Sequence, residues 1–176
     1  DQKQHLEMTR DIASSFNHQN GETFVLPEPL IDERVMVIPG TDGRKMSKSY
    51  DNYINIFLPD KKLRKVIMRI ETDSTPMEEP KNPDSCNVFA LYKLLANDDQ
   101  IAEMRKNYEG GNYGYGHAKQ ALYELIVDIF KSERENYWRL MENTDEIDRL
   151  LKEGAEKARK VAQPVLQKVR NKLGYN

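Results

Sequence analysis

From Val88 to the end of the chain, apolar residues recur every three or four positions. That period belongs to helices, whereas a half-buried strand alternates every second residue. The second half of the chain is therefore expected to be all helical, its members packed by their apolar stripes. Val88, Leu91, Tyr92 and Leu95 predict one short helix. Ile101, Met104 and Tyr108 predict the next, capped by Asp98 or Asp99. Residues 110–116 form a tight glycine-rich break, where glycine permits backbone that other residues avoid. It is too rich in tyrosine for a phosphate loop, and no Lys-Ser/Thr follows it. Ala118, Leu122, Leu125, Ile126 and Ile129 predict a long helix running to about Met141. Asn143 and Thr144 cap a last helix, with Ile147, Leu150, Leu151, Ala158, Val161, Val165 and Val169 as its seam. Small residues at Gly154, Ala155, Ala158 and Ala162 would let another helix approach closely. Pro164 lies inside that pattern and should kink or break it.

The first half is more mixed. Asp1 is a natural N-cap, and Leu6, Thr9, Ile12, Ala13 and Phe16 predict an amphipathic helix over residues 2–18, with its end near residues 17–21. Residues 24–26 make a short extended piece closed by Pro27 and Pro29, and residues 35–38 read as a strand. Residues 53–57 read as another brief extended segment, before Pro59 and Asp60 start a helix. In that helix Leu63, Val66, Ile67 and Ile70 form the apolar stripe, while Lys61, Lys62, Arg64, Lys65 and Arg69 make the rest a solvated face. Residues 75–86 are rich in Pro, Asp and Glu, which marks a loop or hinge and the best place for a domain boundary.

Composition narrows the function classes. The apolar runs are far too short to span a bilayer, and the first residues hold no apolar core of a signal peptide. Cys86 is the only cysteine, so an intrachain disulfide is excluded and a cysteine-based zinc site is unexpected. It reads as an ordinary thiol, in keeping with a reducing compartment. A formal net charge of −2 argues against a globally basic nucleic-acid binder, though not against a local basic face. Lys152, Lys157, Arg159, Lys160, Lys168, Arg170 and Lys172 make the last helix the most basic run in the chain. With no initiator methionine and Asp1 opening onto a helix, the sequence looks like a piece of a longer protein.

The segment with most chemistry is Lys45-Met46-Ser47-Lys48-Ser49, between Gly40-Thr41-Asp42-Gly43-Arg44 and Tyr50-Asp51-Asn52. It follows a strand and a turn built by Pro39, Gly40 and Gly43, the layout of a mobile cationic loop. A lysine ammonium is a compact charge on a flexible stem, suited to a moving polyphosphate. Ser47 and Ser49 add hydroxyl donors, and a turn offers backbone N–H groups for an anion. Two lysines in a surface loop are usually just solvated, but here the full pentapeptide KMSKS stands in the right context.

This segment resembles the signature loop of class I aminoacyl-tRNA synthetases, which closes over ATP during amino-acid activation. Asp1 and Gln2 at a helix start some forty residues earlier, the Thr72-Asp73-Ser74 run and the His117-Ala118-Lys119 run after the glycine break resemble the tryptophanyl-tRNA synthetase family. The resemblance implies a mostly α fold. Residues 1–75 would be the end of a Rossmann-like class I catalytic domain, with a helix, a short parallel strand and the KMSKS loop. Residues 76–176 would be an all-helical anticodon-binding bundle. It implies that Asp1 accepts from ribose hydroxyls, that Gln2 helps hold tryptophan and that the Val35 backbone faces adenine. Met46, Ser47 and Ser49 would contact ATP, and Lys45 and Lys48 would be the catalytic cations, with Mg²⁺ carried by the nucleotide rather than by the protein. The implied reaction is tryptophan–tRNA ligation, with ATP, L-tryptophan and tRNA(Trp) as partners, in a cytoplasmic homodimer.

The family's other ATP motif, a pair of histidines flanking two short residues, is missing, since His5, His18 and His117 are far apart. His5 reads as a supporting or core residue. The resemblance thus spans only the second half of such an enzyme, and the chain alone is expected to be inactive. Alternatives are a tyrosyl-type fragment, a helical RNA-binding module without catalysis, and a plain helical interaction protein. Tyr137 and Trp138 are candidates for stacking on splayed bases, though aromatics in such a helix more often serve the core.

Overall fold

The computed structural model describes residues 2–31 and 37–175. The α-helices among them are, in chain order, α1 (Lys3–Asn20), α2 (Asp60–Met68), α3 (Asn87–Lys93), α4 (Asp98–Gly110), α5 (Tyr115–Ile129), α6 (Lys131–Glu142) and α7 (Thr144–Lys172). The chain divides into two compact units, Val37–Arg139 and the pair of segments Asp1–Met36 and Leu140–Asn176. Among the described residues no helix is long and apolar enough to cross a membrane.

The unit Val37–Arg139 begins with the loop region and continues as helices. Helix α2 starts after Pro59 as the sequence implies, and its Leu63 and Ile67 are fully buried. Burying one such side chain stabilises the fold by about 1.5–3 kcal/mol. Helix α3 turns Val88, Phe89, Leu91 and Tyr92 inward. Helix α4 adds Met104 and Tyr108, and α5 adds Ala118, Leu122, Leu125 and Ile126. Helices α2 and α3 both pack on α5, so that α5 is the axis of the core.

Three local expectations change. Asn97, not Asp98 or Asp99, caps α4, forming a capping box in which it accepts from Gln100 N at 2.9 Å while Gln100 Oε1 accepts from Asn97 N at 3.0 Å. The two aspartates instead sit in the first turn, beside the positive end of the helix dipole. The long helix expected from Ala118 to Met141 is two helices, α5 and α6, broken at Phe130 with φ −97° and ψ 21°. Neither Gly nor Pro signals that break, so apolar spacing alone runs across it. Arg134, in the first turn of α6, is buried; it donates to Asp60 Oδ1 at 2.5 Å and to the Ile56 carbonyl. Residues 53–57 are unpaired and end in a turn rather than forming a strand. What holds them is α6: Phe57 stacks on Tyr137 with centroids 4.6 Å apart.

Residues 75–86 are a loop, as expected, apart from one turn of 3₁₀ helix at Pro83–Ser85, and the loop is firmly fastened. The Lys81 side chain is buried, and its Nζ donates to the carbonyls of Pro76 at 2.7 Å, Glu79 at 3.0 Å and Met77 at 3.3 Å. Its backbone N–H donates to Tyr108 O at 2.7 Å, which joins the loop to α4. Cys86 is buried and lies 3.4 Å from the Tyr108 hydroxyl. Burial, more than that hydrogen bond, pushes the Tyr108 hydroxyl well above the ordinary tyrosine range.

In the other unit, α1 ends at Asn20, within residues 17–21 where its end is expected, with Gln2 at the N-cap position. Asn17 pins the following segment: its Oδ1 accepts from Thr23 N and Phe24 N, and its Nδ2 donates to Phe24 O at 2.8 Å. Phe24 meets Phe16 edge-on at 5.1 Å. Helix α7 is 29 residues long and is not broken at Pro164, the position expected to kink or break it. Its seam residues Leu150, Leu151, Val161 and Val165 are exposed rather than buried.

Candidate functional site

The loop around Lys45 and Lys48 is built by two short turns. Pro39 and Lys45 form an isolated antiparallel bridge, and Met46 N donates to Ile38 O at 2.8 Å. Between them Gly40 N donates to Arg44 O at 2.6 Å, which closes the first turn. Gly43 has φ +77°, left-handed backbone that suits glycine, and a Cβ there would lie 2.7 Å from the Asn87 side chain. Of the strand expected over residues 35–38, Val35 and Met36 lie outside the described residues, and Val37 and Ile38 belong to no strand.

The second turn carries the signature itself. Lys48–Tyr50 is one turn of 3₁₀ helix, capped by Ser47, whose Oγ accepts from Ser49 N at 3.2 Å. Asp51 ends it in the left-handed region, φ 51°, which Asp tolerates better than most residues. Met46 is half-buried against the core, while Lys45, Lys48 and Ser49 are exposed. The loop is therefore a hydrophobic foot with cations on its outer side.

Several backbone N–H groups suited to cradling an anion are already used. Met46 N serves Ile38 O, Ser47 N serves Asn52 Oδ1, Ser49 N serves Ser47 Oγ and Asp51 N serves Lys48 O. In this conformation the loop thus offers a ligand mainly its side chains. Ammonium and hydroxyl groups fit an anionic, oxygen-rich partner such as a polyphosphate. Among the described residues no three His, Cys, Asp or Glu side chains gather as a metal site would need.

Two residues that the sequence reading passed over brace the loop. Asp42 accepts from Arg44 Nε at 2.7 Å and Arg44 N at 3.0 Å, and the Arg44 guanidinium stacks over the Tyr50 ring at 4.9 Å. Asn52 is 2 % exposed and donates to Asp42 Oδ1 at 2.7 Å. The Asn52 amide, followed by Arg44, holds the Asp42 carboxyl below the usual carboxylate range, against the opposing effect of burial. No local pattern in the sequence marks Asn52, because its side chain bonds backbone five and seven residues earlier in the chain.

The remaining predicted site residues add little to this geometry. Asp1 and Val35 lie outside the described residues. Gln2 belongs to the other unit; it is exposed at the start of α1, where its carbonyl accepts from His5 N at 3.1 Å. His5 is exposed, not a core residue. A cavity of about 190 Å³ behind the loop is lined by Thr41, Asp51, Tyr53 and Arg69 among others, and by none of the signature residues. Of the two aromatic candidates, Tyr137 is engaged with Phe57, while Trp138 meets Tyr137 edge-on at 5.3 Å and keeps 42 % of its surface exposed.

The family model for tRNA synthetases class I (W and Y) matches residues 1–131. The tryptophan–tRNA ligase of Fusobacterium nucleatum is 50% identical over 175 residues, covering 99% of this chain and 54% of that protein. That of Campylobacter jejuni is 47% identical over 174 residues, with 99% and 54% covered. Among solved structures, tryptophanyl-tRNA synthetase from Campylobacter jejuni complexed with ADP and tryptophan superposes with a TM-score of 0.84 at 47% identity, covering 98% of this chain and 54% of that one. The enzyme from Mycoplasma pneumoniae, at 22% identity and a TM-score of 0.70, shares the fold. The chain spans about half the length of the curated relatives it matches. With its family model matched over residues 1–131 and its signature pentapeptide in place, the chain belongs to the class I tRNA synthetases of the W and Y family.

Proposed function

We propose that this chain is the second half of a tryptophan–tRNA ligase, which joins tryptophan to ATP and passes the activated amino acid to tRNA(Trp). The observation that carries this reading is the exposed Lys45–Lys48 pair on a loop footed in the core. The names of the relatives favour tryptophan over tyrosine. Residues 1–75 would complete a Rossmann-like catalytic domain, and residues 76–176 would be the helical part that meets the anticodon.

Activation begins when the tryptophan carboxylate attacks the α-phosphate of ATP and pyrophosphate leaves. Such a step needs positioning and well-placed cations more than covalent help. Lys45 and Lys48 supply the cations, with Ser47 and Ser49 at phosphate oxygens and Met46 seating the loop. Asp1 and the Val35 backbone hold the nucleoside, Gln2 contacts tryptophan, and Mg²⁺ arrives with the ATP. Exposed basic residues on α7, such as Lys157 and Arg159, suit tRNA phosphates. The enzyme would work as a cytoplasmic homodimer, and this chain alone would be inactive.

The test is Lys45→Ala in the full-length enzyme. Tryptophan-dependent ATP–pyrophosphate exchange should fall by roughly 10²–10³-fold, as when one charge-stabilising donor is removed. Tryptophan affinity should barely change. Normal exchange in this variant would refute the assignment.

A further inference from the structure

We propose that Asn52 is the positioning residue of the lysine loop, setting where the Lys45 and Lys48 backbones stand relative to the nucleotide. This inference rests on the function proposed above. Asn52 is 2 % exposed, and its side-chain hydrogen bonds run to Asp42, Lys45 and Ser47. Its Oδ1 accepts from Ser47 N at 2.7 Å, and its Nδ2 donates to Lys45 O at 3.1 Å. The amide therefore grips the chain on both sides of Met46. The second Nδ2 proton goes to Asp42 Oδ1 at 2.7 Å, and the Asn52 carbonyl accepts from Thr41 N at 2.8 Å. One planar group thus ties the turn before the lysines to the turn that carries them.

The chemistry is specific to a carboxamide. The site needs one acceptor facing Ser47 N and two donors facing the Asp42 carboxylate and the Lys45 carbonyl, and only Asn or Gln provides that set. Gln is a methylene longer, and the space is closed: a Cβ on Gly40 would come within 2.4 Å of the Asn52 Cγ. Asp has the right shape with the wrong polarity. Asn52→Asp would put a second carboxylate against Asp42 and an oxygen against the Lys45 carbonyl. The Asn52 side chain is committed to the loop itself, so its effect on the reaction passes through the two lysines.

The experiment compares Asn52→Ala, Asn52→Asp, Asp42→Asn and the double variant Asn52→Asp/Asp42→Asn in the full-length enzyme. Lys45→Ala serves as the reference. Steady-state ATP–pyrophosphate exchange gives kcat and the KM for tryptophan, and thermal unfolding is followed alongside. Asn52→Ala and Asn52→Asp should each lower kcat by roughly 10- to 100-fold, the scale expected for a misplaced catalytic group. The KM for tryptophan should stay near that of the parent. The unfolding midpoint should fall, since both changes strip partners from a buried side chain, while the enzyme stays folded at the assay temperature. The double variant should recover at least half of the logarithmic loss of Asn52→Asp, because the amide introduced at position 42 then donates to the new carboxylate. Two results overturn the proposal: losses that simply add in the double variant, or a fall in kcat that equals the fraction of enzyme unfolded at the assay temperature or comes with a higher tryptophan KM. Normal exchange by Asn52→Ala beside an inactive Lys45→Ala sinks the Asn52 role alone. Normal exchange by Lys45→Ala sinks the reading of the loop itself.

Discussion

Arg134 donates to Asp60 Oδ1 at 2.5 Å across 74 residues of chain, and it donates to the Ile56 carbonyl as well. One side chain thereby closes the start of α2 and the segment leading out of the lysine loop onto α6. The two ends of this pair differ in exposure: the Arg134 side chain is 9 % exposed and that of Asp60 is 68 % exposed. Removing the buried partner should therefore cost far more than removing the exposed one. Arg134→Met should destabilise the unit by about 3 kcal/mol, since it also strands the Ile56 carbonyl. Asp60→Asn should cost about 1 kcal/mol or less, as for a solvent-screened partner. Urea denaturation of both variants checks the order, and equal costs would contradict the asymmetry.

Much of the architecture is legible in the sequence, for identifiable reasons. Leu63, Val66, Ile67 and Ile70 repeat at helical spacing after a proline, and α2 begins where Pro59 and Asp60 place it. Ser47, Lys48 and their neighbours stand out as a site because the pentapeptide is specific. Asn52 does not, because its role depends on which backbone groups fold around it. The break at Phe130 is hidden because no residue there is a poor helix former and the apolar spacing stays in phase. The exposed seam of α7 illustrates the opposite limit. Periodicity shows that a face is apolar, but it does not say what covers it.

Lys81 places an ammonium among three carbonyls of residues 76–79, with 4 % of its surface exposed. Its ring neighbour is Tyr115, at 5.4 Å. Lys81→Met should keep the aliphatic packing but leave those carbonyls without their donor. A loss of about 2 kcal/mol follows, within the range for a buried group stripped of its partner. The loop, no longer gathered, should become a site of limited proteolysis. If Lys81→Met unfolds at the parent's denaturant midpoint and resists cleavage between residues 76 and 81, the ammonium has no such role.

A cluster of tyrosines sets the alkaline limit of the same unit. Burial pushes the hydroxyls of Tyr92, Tyr108 and Tyr113 above the ordinary tyrosine range. It pushes Tyr115 up to about 12, with help from the hydrogen bond that its hydroxyl donates to Asp73 at 2.7 Å. A raised folded pKa means that the folded state keeps a proton which the unfolded chain gives up. The associated stability is present below the unfolded tyrosine pKa of about 10 and is lost as pH rises from there through about 12. Thermal midpoints should therefore fall steeply across that window. Tyr115→Phe should flatten the fall without changing its direction, because Tyr92, Tyr108 and Tyr113 still titrate. An unchanged alkaline slope in Tyr115→Phe would show that this hydroxyl titrates normally in the folded protein.

Pro164 sits inside α7 without ending it. Proline has no N–H to offer the carbonyl four residues earlier, and its ring crowds that carbonyl. In most helices the cost is about 3 kcal/mol relative to alanine. Nothing buried surrounds the position, since α7 is exposed over nearly its whole length. Pro164→Ala should therefore relieve the defect without opening a cavity, raising helix stability by up to about 3 kcal/mol. Far-ultraviolet circular dichroism should show more helix at a given temperature and a higher midpoint for the C-terminal segment. A lower midpoint would mean that the proline's preset φ, which restricts the unfolded chain, outweighs the missing hydrogen bond.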